Sequence, residues 1–473
     1  MSEVGVAEIP VAVEPVPVAP RSRGALAGNP LLEGAILPTL LRLSAPNVVA
    51  LSAGTCVAVA ETSYIGWLGT EALAAIALVF PFVILTMTMS GGAMGGGVSS
   101  AIARALGAGD VLRASTLSAH ALLIGGCFGV VFTVGMLAYG PTLLAALGGR
   151  GSVLTQAVGY TYVFFGFALV PWLMNTLASI LRGTGNMRLP STVILGAAAC
   201  QIVFGGVLGL GLGPVPRFGM PGVAAGTVIA YSIGCAIMAW YILSGRARVT
   251  PLVPGFRIQR TMLFDIFKVG AIACFSPLQS VLTIVIFTHM LAHFGNEVLA
   301  GYGIGARLEF MLTSLAFAIG IASVPMIGMA IGARQAVRAR NIAWVAAILC
   351  FVVIGLIGIA LALYPESWID LFTDDPGVRA AGGIYMSIAA PMYAFLCLAT
   401  ATYFSSQGAA KVLGPVLAQT ARLAFIGIGG WWLLANDAPA LSFYWLAAAS
   451  MIVLGVLSAL TVFGTRWGPR DGG

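Results

Sequence analysis

Apolar residues run through this chain in long unbroken stretches, with none of the short alternation of half-buried strands. Charged and Gly/Pro-rich joints divide it into twelve such stretches: 38–66, 72–105, 112–146, 153–181, 189–211, 221–245, 262–293, 298–332, 338–365, 377–406, 412–435 and 441–465. A helix of about 20 apolar residues crosses the ~30 Å hydrocarbon core of a bilayer. Each stretch therefore predicts a membrane-spanning helix, and those beyond 30 residues predict tilted helices that project past the bilayer. A transmembrane barrel would need ten-residue segments of alternating polarity, which are absent. The fold class that follows is an all-α polytopic membrane protein with twelve transmembrane helices.

The same pattern repeats internally. "GTEALAAIALVF" from Gly69 matches "GNEVLAGYGIGA" from Gly295 at an offset of 226, and "GAGDVLRA" from Gly107 matches "GARQAVRA" from Gly332 at 225. Tyr160, Gly183 and Pro190 match Tyr385, Gly408 and Pro415, again at 225. Each copy holds six spans, an even number, so both halves insert in the same direction. Parallel repeats of this kind are related by an axis along the membrane normal, and a substrate path lies where they meet. The resulting division is an N-terminal tail over 1–34, an N-lobe over 35–250, a linker over 251–261, a C-lobe over 262–466 and a C-terminal tail over 467–473. The first 30 residues, rich in Pro, Val and Ala, lack the apolar core of a signal peptide and read as a disordered cytosolic tail.

Composition agrees with the pattern. The 473 residues are 59% hydrophobic and 8% charged, against roughly 25% charged in a soluble domain. The net charge of +7 follows membrane topology and implies no nucleic acid. With both termini cytosolic, 18 of the 23 Lys and Arg residues fall on the cytosolic side, Arg182 among them. Only Arg150, Arg217 and Arg379 fall outside, with Arg307 and Arg422 within or at the edges of spans. That asymmetry is the positive-inside signature, and it favours an even number of spans in the cell's inner (plasma) membrane.

Charge inside the membrane carries the functional signal. Of the 16 acidic residues, only Glu61 and Glu309 lie at membrane depth. An acid there faces a cavity or a partner and marks an ion or substrate path. Arg307 and Glu309 share the eighth span and either neutralise each other or neighbouring helices, or form a relay or substrate contact. The seven scattered cysteines show no metal-ligand spacing and read as small core residues. The "GGAMGGG" run from Gly91 suits close helix approach. There is no Walker A motif, no paired cysteines and no serine–histidine–acid arrangement, and no loop exceeds about 20 residues. The chain therefore reads as no enzyme and no ATP-driven pump, which leaves an ion gradient as the energy source.

Two six-helix halves, "LRGTGNMRLP" after span four, "GIGARLEF" in span eight and "SSQGAAKVLGP" after span ten resemble the multidrug and toxic compound extrusion (MATE) family. The resemblance covers nearly the whole chain beyond the tail. It implies a V-shaped pair of lobes that exports amphipathic, often cationic, organic compounds in exchange for H⁺ or Na⁺. It places the family's bend-forming proline at Pro46, its first-helix aspartate at Glu61, its fifth-helix Asn-x-x-x-Asp at Gln201 and Gly205, its sixth-helix threonine at Thr227 and its cavity tyrosine at Tyr160. In the C-lobe, Gln279 or Ser280 stands where sodium-coupled members carry a glutamate, and span ten has no acid. One carboxylate with an amide and hydroxyls is a poor Na⁺ site, since hard cations want several oxygen ligands. Such a set suits a proton carrier. The expectation is a proton-coupled antiporter with no cofactor, a small-molecule substrate, a bilayer environment and a monomeric state. The alternatives are an exporter dedicated to one metabolite, a lipid-linked oligosaccharide flippase of the same superfamily, and a non-transporting receptor or scaffold.

Overall fold

A computed structural model describes residues 29–467, and among them the regular structure is entirely helical. The helices of the N-lobe are α1 (Ile36–Leu68), α2 (Thr70–Gly107), α3 (Val111–Ala146), α4 (Gly151–Gly166 continued by Leu169–Gly183), α5 (Arg188–Leu210) and α6 (Met220–Leu243). Those of the C-lobe are α7 (Arg260–Phe294), α8 (Asn296–Gly332), α9 (Ala336–Leu363), α10 (Pro376–Gly408), α11 (Leu413–Ala435) and α12 (Ala440–Gly464). A helix satisfies every backbone polar group within itself, which hydrocarbon demands. Ten of these helices are long and apolar enough to cross a membrane, and α4 makes an eleventh span although it bends by 47° at its break. The remaining helix, α11, is diluted by Gln419, Thr420 and Arg422, whose side chains all make contacts inside the lobe.

The repeat is visible in the backbone. The turns between α1 and α2 and between α7 and α8 are made by Gly69 (φ 125°) and Gly295 (φ 95°), where a side chain would be strained. The break in α4 at Phe167 and Ala168 has a counterpart in α10, a 3₁₀ turn over Ala390–Met392. The halves also differ: α7 is interrupted at Cys274 where α1 is continuous, and α2 contains a π-helical turn over Thr88–Met94 where α8 runs without one.

The two lobes close on each other at one end, the end that carries both described chain termini, here called proximal. Ser100 Oγ donates to Gln407 O at 2.5 Å, and Gln407 Nε2 donates to Gly92 O at 3.2 Å. Gly97 of α2 packs against Ile266 and Gly270 of α7. The repeat-related pair Gly107 and Gly332 sits against backbone from the opposite lobe, at Met329 and Arg104 respectively. At the other, distal end the N-lobe has a core of its own, from Tyr64 through Phe164 to Ala224, which contains no C-lobe residue. The lobes therefore part distally. Gly107→Val puts a side chain into the Met329 backbone, an overpacking worth about 1–3 kcal/mol. It is expected to hold the proximal ends apart, read as a longer distance between spin labels on exposed Val111 and Val337.

An Asp265-centred ion cluster reinforces that closure. Asp265 of α7 meets Arg104 at the end of α2 (3.0 Å), Arg113 at the start of α3 (3.0 Å) and Lys268 of its own helix (2.6 Å). Arg104 also donates to Ser100 Oγ.

The chain ends and the linker differ from the sequence reading. Residues 1–28 and 468–473, most of the two expected tails, lie outside the described residues. Within the stretch expected as tail, Pro30–Glu33 forms a helical turn capped by Asn29, whose Oδ1 accepts from Leu31 N at 3.1 Å. Arg338 of the C-lobe holds it by donating to Leu31 O (3.3 Å) and Gly34 O (2.6 Å). Trp467 is buried at the other terminus. The connection between lobes runs over 244–259 and is pinned to α3: Thr250 N donates to Ser115 Oγ (3.2 Å) and Gln259 N to His120 Nε2 (2.9 Å).

Candidate functional site

Glu61 sits in the distal half of α1, about four turns beyond Pro46, or ~22 Å at 1.5 Å per residue. Its Oε1 accepts a hydrogen bond from Gln201 Nε2 of α5 at 2.7 Å and a longer one from Thr227 Oγ1 of α6 at 3.5 Å. Three residues singled out in the sequence, on three helices, thus meet at one carboxylate. Tyr160 of α4 joins them; it is 2% exposed, stacks on Phe164 at 6.0 Å and lies beside Glu61 and Thr227.

Two further tyrosines, absent from the sequence reading, complete the site. Tyr64 and Tyr231 both neighbour Glu61. Each was legible from helical spacing, because residues three or four apart share a helix face: Tyr64 follows Glu61 by three, and Tyr231 follows Thr227 by four. Tyr64 also explains Gly205, which stands where the resemblance expects an aspartate. A Cβ at 205 would come within 2.6 Å of the Tyr64 hydroxyl, so a phenol occupies the space of the missing side chain. Gly205 and Gly226 meet backbone to backbone, which draws α5 and α6 together and brings Gln201 and Thr227 onto one carboxylate.

Pro46 lies within α1, which continues through it as one helix. Proline has no N–H to give the preceding turn, so the helix lacks one bond there. On either side, Ser44 Oγ donates to Leu40 O (2.8 Å) and Ser191 Oγ of α5 to Asn47 Oδ1 (2.8 Å).

The C-lobe separates the two charged residues inside the α8 span. Arg307 and Glu309 do not neutralise each other, since residues two apart on a helix do not face. Arg307 is exposed and its guanidinium lies over Phe372, 5.2 Å from the ring centre. Glu309 turns inward to Arg422 of α11 at 3.9 Å, among Tyr302, Tyr385 and Ser450. Gln279 and Ser280 are engaged in tying α7 to α11: Gln279 Nε2 donates to Thr420 Oγ1 (2.6 Å), and Gln419 Nε2 to Ser280 Oγ (3.0 Å). Neither touches Glu309 through a hydrogen bond.

The MatE family profile matches residues 46–207 and 273–433, one block in each lobe. The chain belongs to the MATE family. It is a multi-pass membrane transporter of small molecules and not an enzyme. Among curated proteins, the transporter is 27% identical to the "FAD transporter" of Shewanella oneidensis over 351 residues, covering 74% of this chain and 77% of that one. It is 24% identical to the "Probable multidrug resistance protein YoeA" of Bacillus subtilis over 312 residues, 65% of this chain and 66% of that one. Among solved structures, its fold superposes on a MOP superfamily transporter from Pyrococcus furiosus with a TM-score of 0.85 at 22% identity, over 92% of this chain and 96% of that one.

Proposed function

We propose that the chain is a proton-coupled antiporter that exports amphipathic organic compounds by alternating access, with Glu61 as the group that carries the proton. The observation that supports this is a carboxylate held by an amide and a hydroxyl among three tyrosines, with no cation beside it among the described residues. Gln201 turns an N–H rather than an oxygen toward Glu61, so the donor set stabilises a carboxylate and supplies few oxygens to a sodium ion. With the proximal end cytosolic in the plasma membrane, as the basic residues favour, the lobes stand open to the outside. Glu61 then faces the side from which protons enter.

In the cycle we envisage, Glu61 is deprotonated when substrate binds, with Tyr160, Gln201 and Thr227 offering polar contacts around it. A proton from outside neutralises Glu61, releases its bond to Gln201 and favours bending of α1 at Pro46, which shrinks the N-lobe cavity and expels substrate. Only a proton that binds the two states differently can drive that shift. The test is uptake into inverted proteoliposomes under an imposed pH gradient, with a sodium gradient as the comparison; transport that follows sodium and ignores pH rejects the reading. Pro46→Ala restores the missing backbone bond and is expected to leave proton binding intact while uncoupling it from release. Structures at low and high pH that show one shape of α1 would replace bending with direct competition for Glu61.

A second reading, a dedicated exporter of one phosphorylated metabolite, is favoured by the FAD transporter relative. It uses the same coupling site and differs in what the cleft between the lobes must hold.

A further inference from the structure

Arg182 lies in the last turn of α4, and its position in the sequence puts it on the cytosolic side. The structure buries it in the seam between the lobes, where it is 7% exposed. Among the described residues its side chain has no carboxylate partner and no hydrogen bond, and its Nε is a buried donor with nothing to donate to. Burying an unpaired guanidinium is costly, and native structures rarely keep one without a use. Arg182 lines a pocket at the floor of the cleft, together with Gly91, Gly92 and Ser99 of α2 and with Val324 and Phe404 from the C-lobe. The Ser99 hydroxyl is a second buried polar atom without a partner. Gly91 and Gly92, within the π-helical turn, line the pocket with backbone alone.

The pocket thus combines a free planar fork of N–H donors, a free hydroxyl, a bare backbone wall and apolar residues opposite. A guanidinium with its donors unspent suits a planar or tetrahedral oxyanion, which it grips through paired hydrogen bonds. We infer that this pocket is the binding site for an anionic group, phosphate or carboxylate, carried by the exported compound, with Arg182 as its receptor and Ser99 as a supporting donor. The inference rests on the export reading above and sets the polarity of its substrate: an amphipathic organic anion, whose charged group lies on the floor of the cleft and whose apolar part lies against Phe404. The internal repeat offers a contrast, since the residue matching Arg182 in the C-lobe is Gln407. Gln407 Nε2 donates to Gly92 O in the seal while its Oε1 has no partner, so the C-lobe copy offers a neutral amide and the N-lobe copy the charge.

FMN and riboflavin share one ring system and differ by a phosphate, so they isolate the effect of that group. Binding is followed by flavin fluorescence with the full chain in phosphatidylcholine nanodiscs. The wild type is expected to bind FMN about 10–100-fold more tightly than riboflavin, the range for hydrogen bonds to a charged group. Arg182→Gln, which copies the residue this architecture accepts at the matching position, should erase the preference. Arg182→Lys should keep part of it, and Ser99→Ala should reduce it less. A wild type with no preference for FMN, or a folded Arg182→Gln that keeps it, overturns the inference. So does native mass spectrometry that finds phosphatidylglycerol held by the wild type, lost in Arg182→Gln and undisplaced by FMN, which would assign the site to lipid. The two readings fail separately: an Arg182-dependent preference for FMN in a wild type whose transport ignores a pH gradient keeps this site and rejects proton coupling, whereas pH-driven transport with no preference for FMN does the reverse.

Discussion

Glu61→Gln is expected to abolish export driven by a pH gradient while leaving the protein folded. Glutamine is close to isosteric, and its amide oxygen still accepts from Gln201 and Thr227, so the convergence of α1, α5 and α6 survives. What it lacks is a proton to take up and release. One proton per cycle at a gradient of one pH unit supplies about 1.4 kcal/mol, enough to hold substrate at roughly a tenfold concentration ratio. The variant should fall to a ratio of about one while still exchanging substrate across vesicles without a gradient. Glu309→Gln should do much less to coupling, because Glu309 answers to Arg422 and sits in the other lobe. Uphill export by Glu61→Gln at the wild-type rate would remove Glu61 from the mechanism.

Asp265→Asn should open the proximal seal. As built, one carboxylate binds two cations from the N-lobe and one from its own helix, so the attraction crosses the seam. Without its charge, Arg104 and Arg113 face Lys268 with nothing between them, and the latch becomes a wedge. Unit charges about 4 Å apart interact by roughly 1–4 kcal/mol between the limits of water and a protein surface. Arg113 and Lys268 are partly exposed, so screening brings their share toward the lower figure. Even about 1.4 kcal/mol shifts a two-state balance tenfold. Pulsed EPR between labels on Val111 and Val337, with native cysteines replaced, should show a second, longer distance in the variant, and its share should fall as salt rises. A distribution identical to the wild type would mean that backbone packing at Gly107 and Gly332 carries the seal alone.

Much of the fold was readable because membrane helices announce themselves. Twelve apolar stretches, their shared direction and the two copies follow from hydropathy, charge and spacing, and the helix ends fall within a few residues of the boundaries read from sequence. The Glu61 site was readable in part, since Gln201, Thr227 and Tyr160 are each the conspicuous polar residue of an apolar span. Tyr64 and Tyr231 escaped notice because a tyrosine on an apolar helix looks like packing until its face is compared with that of its neighbours. The charged residues were hardest. Arg182, Arg104 and Lys268 all sit where a span ends, and a one-dimensional rule sends such residues to the cytosol. The burial of Arg182 and Arg104 depends on the opposite lobe, on residues 139 to 222 positions away in the sequence. For Glu309 the sequence left two partners open, Arg307 beside it in the chain or a neighbouring helix, and its partner in space is Arg422 of α11.

The π-helical turn in α2 has a history written in the repeat. The offset between the halves falls from 226 at Gly69 and Gly295 to 225 at Gly107 and Gly332, and α2 has 38 residues where α8 has 37. A single residue inserted into an α-helix is accommodated as a π bulge, so Thr88–Met94 is where the surplus residue came to rest. After the ancestral unit was duplicated, the copies drifted apart by an insertion or a loss that the bilayer could not tolerate as added length. Absorbing it mid-helix kept Gly107 level with Gly332, and with them the seam on which both halves still meet. It also set Gly91 and Gly92 inside a π turn, a backbone shape that the C-lobe copy does not have.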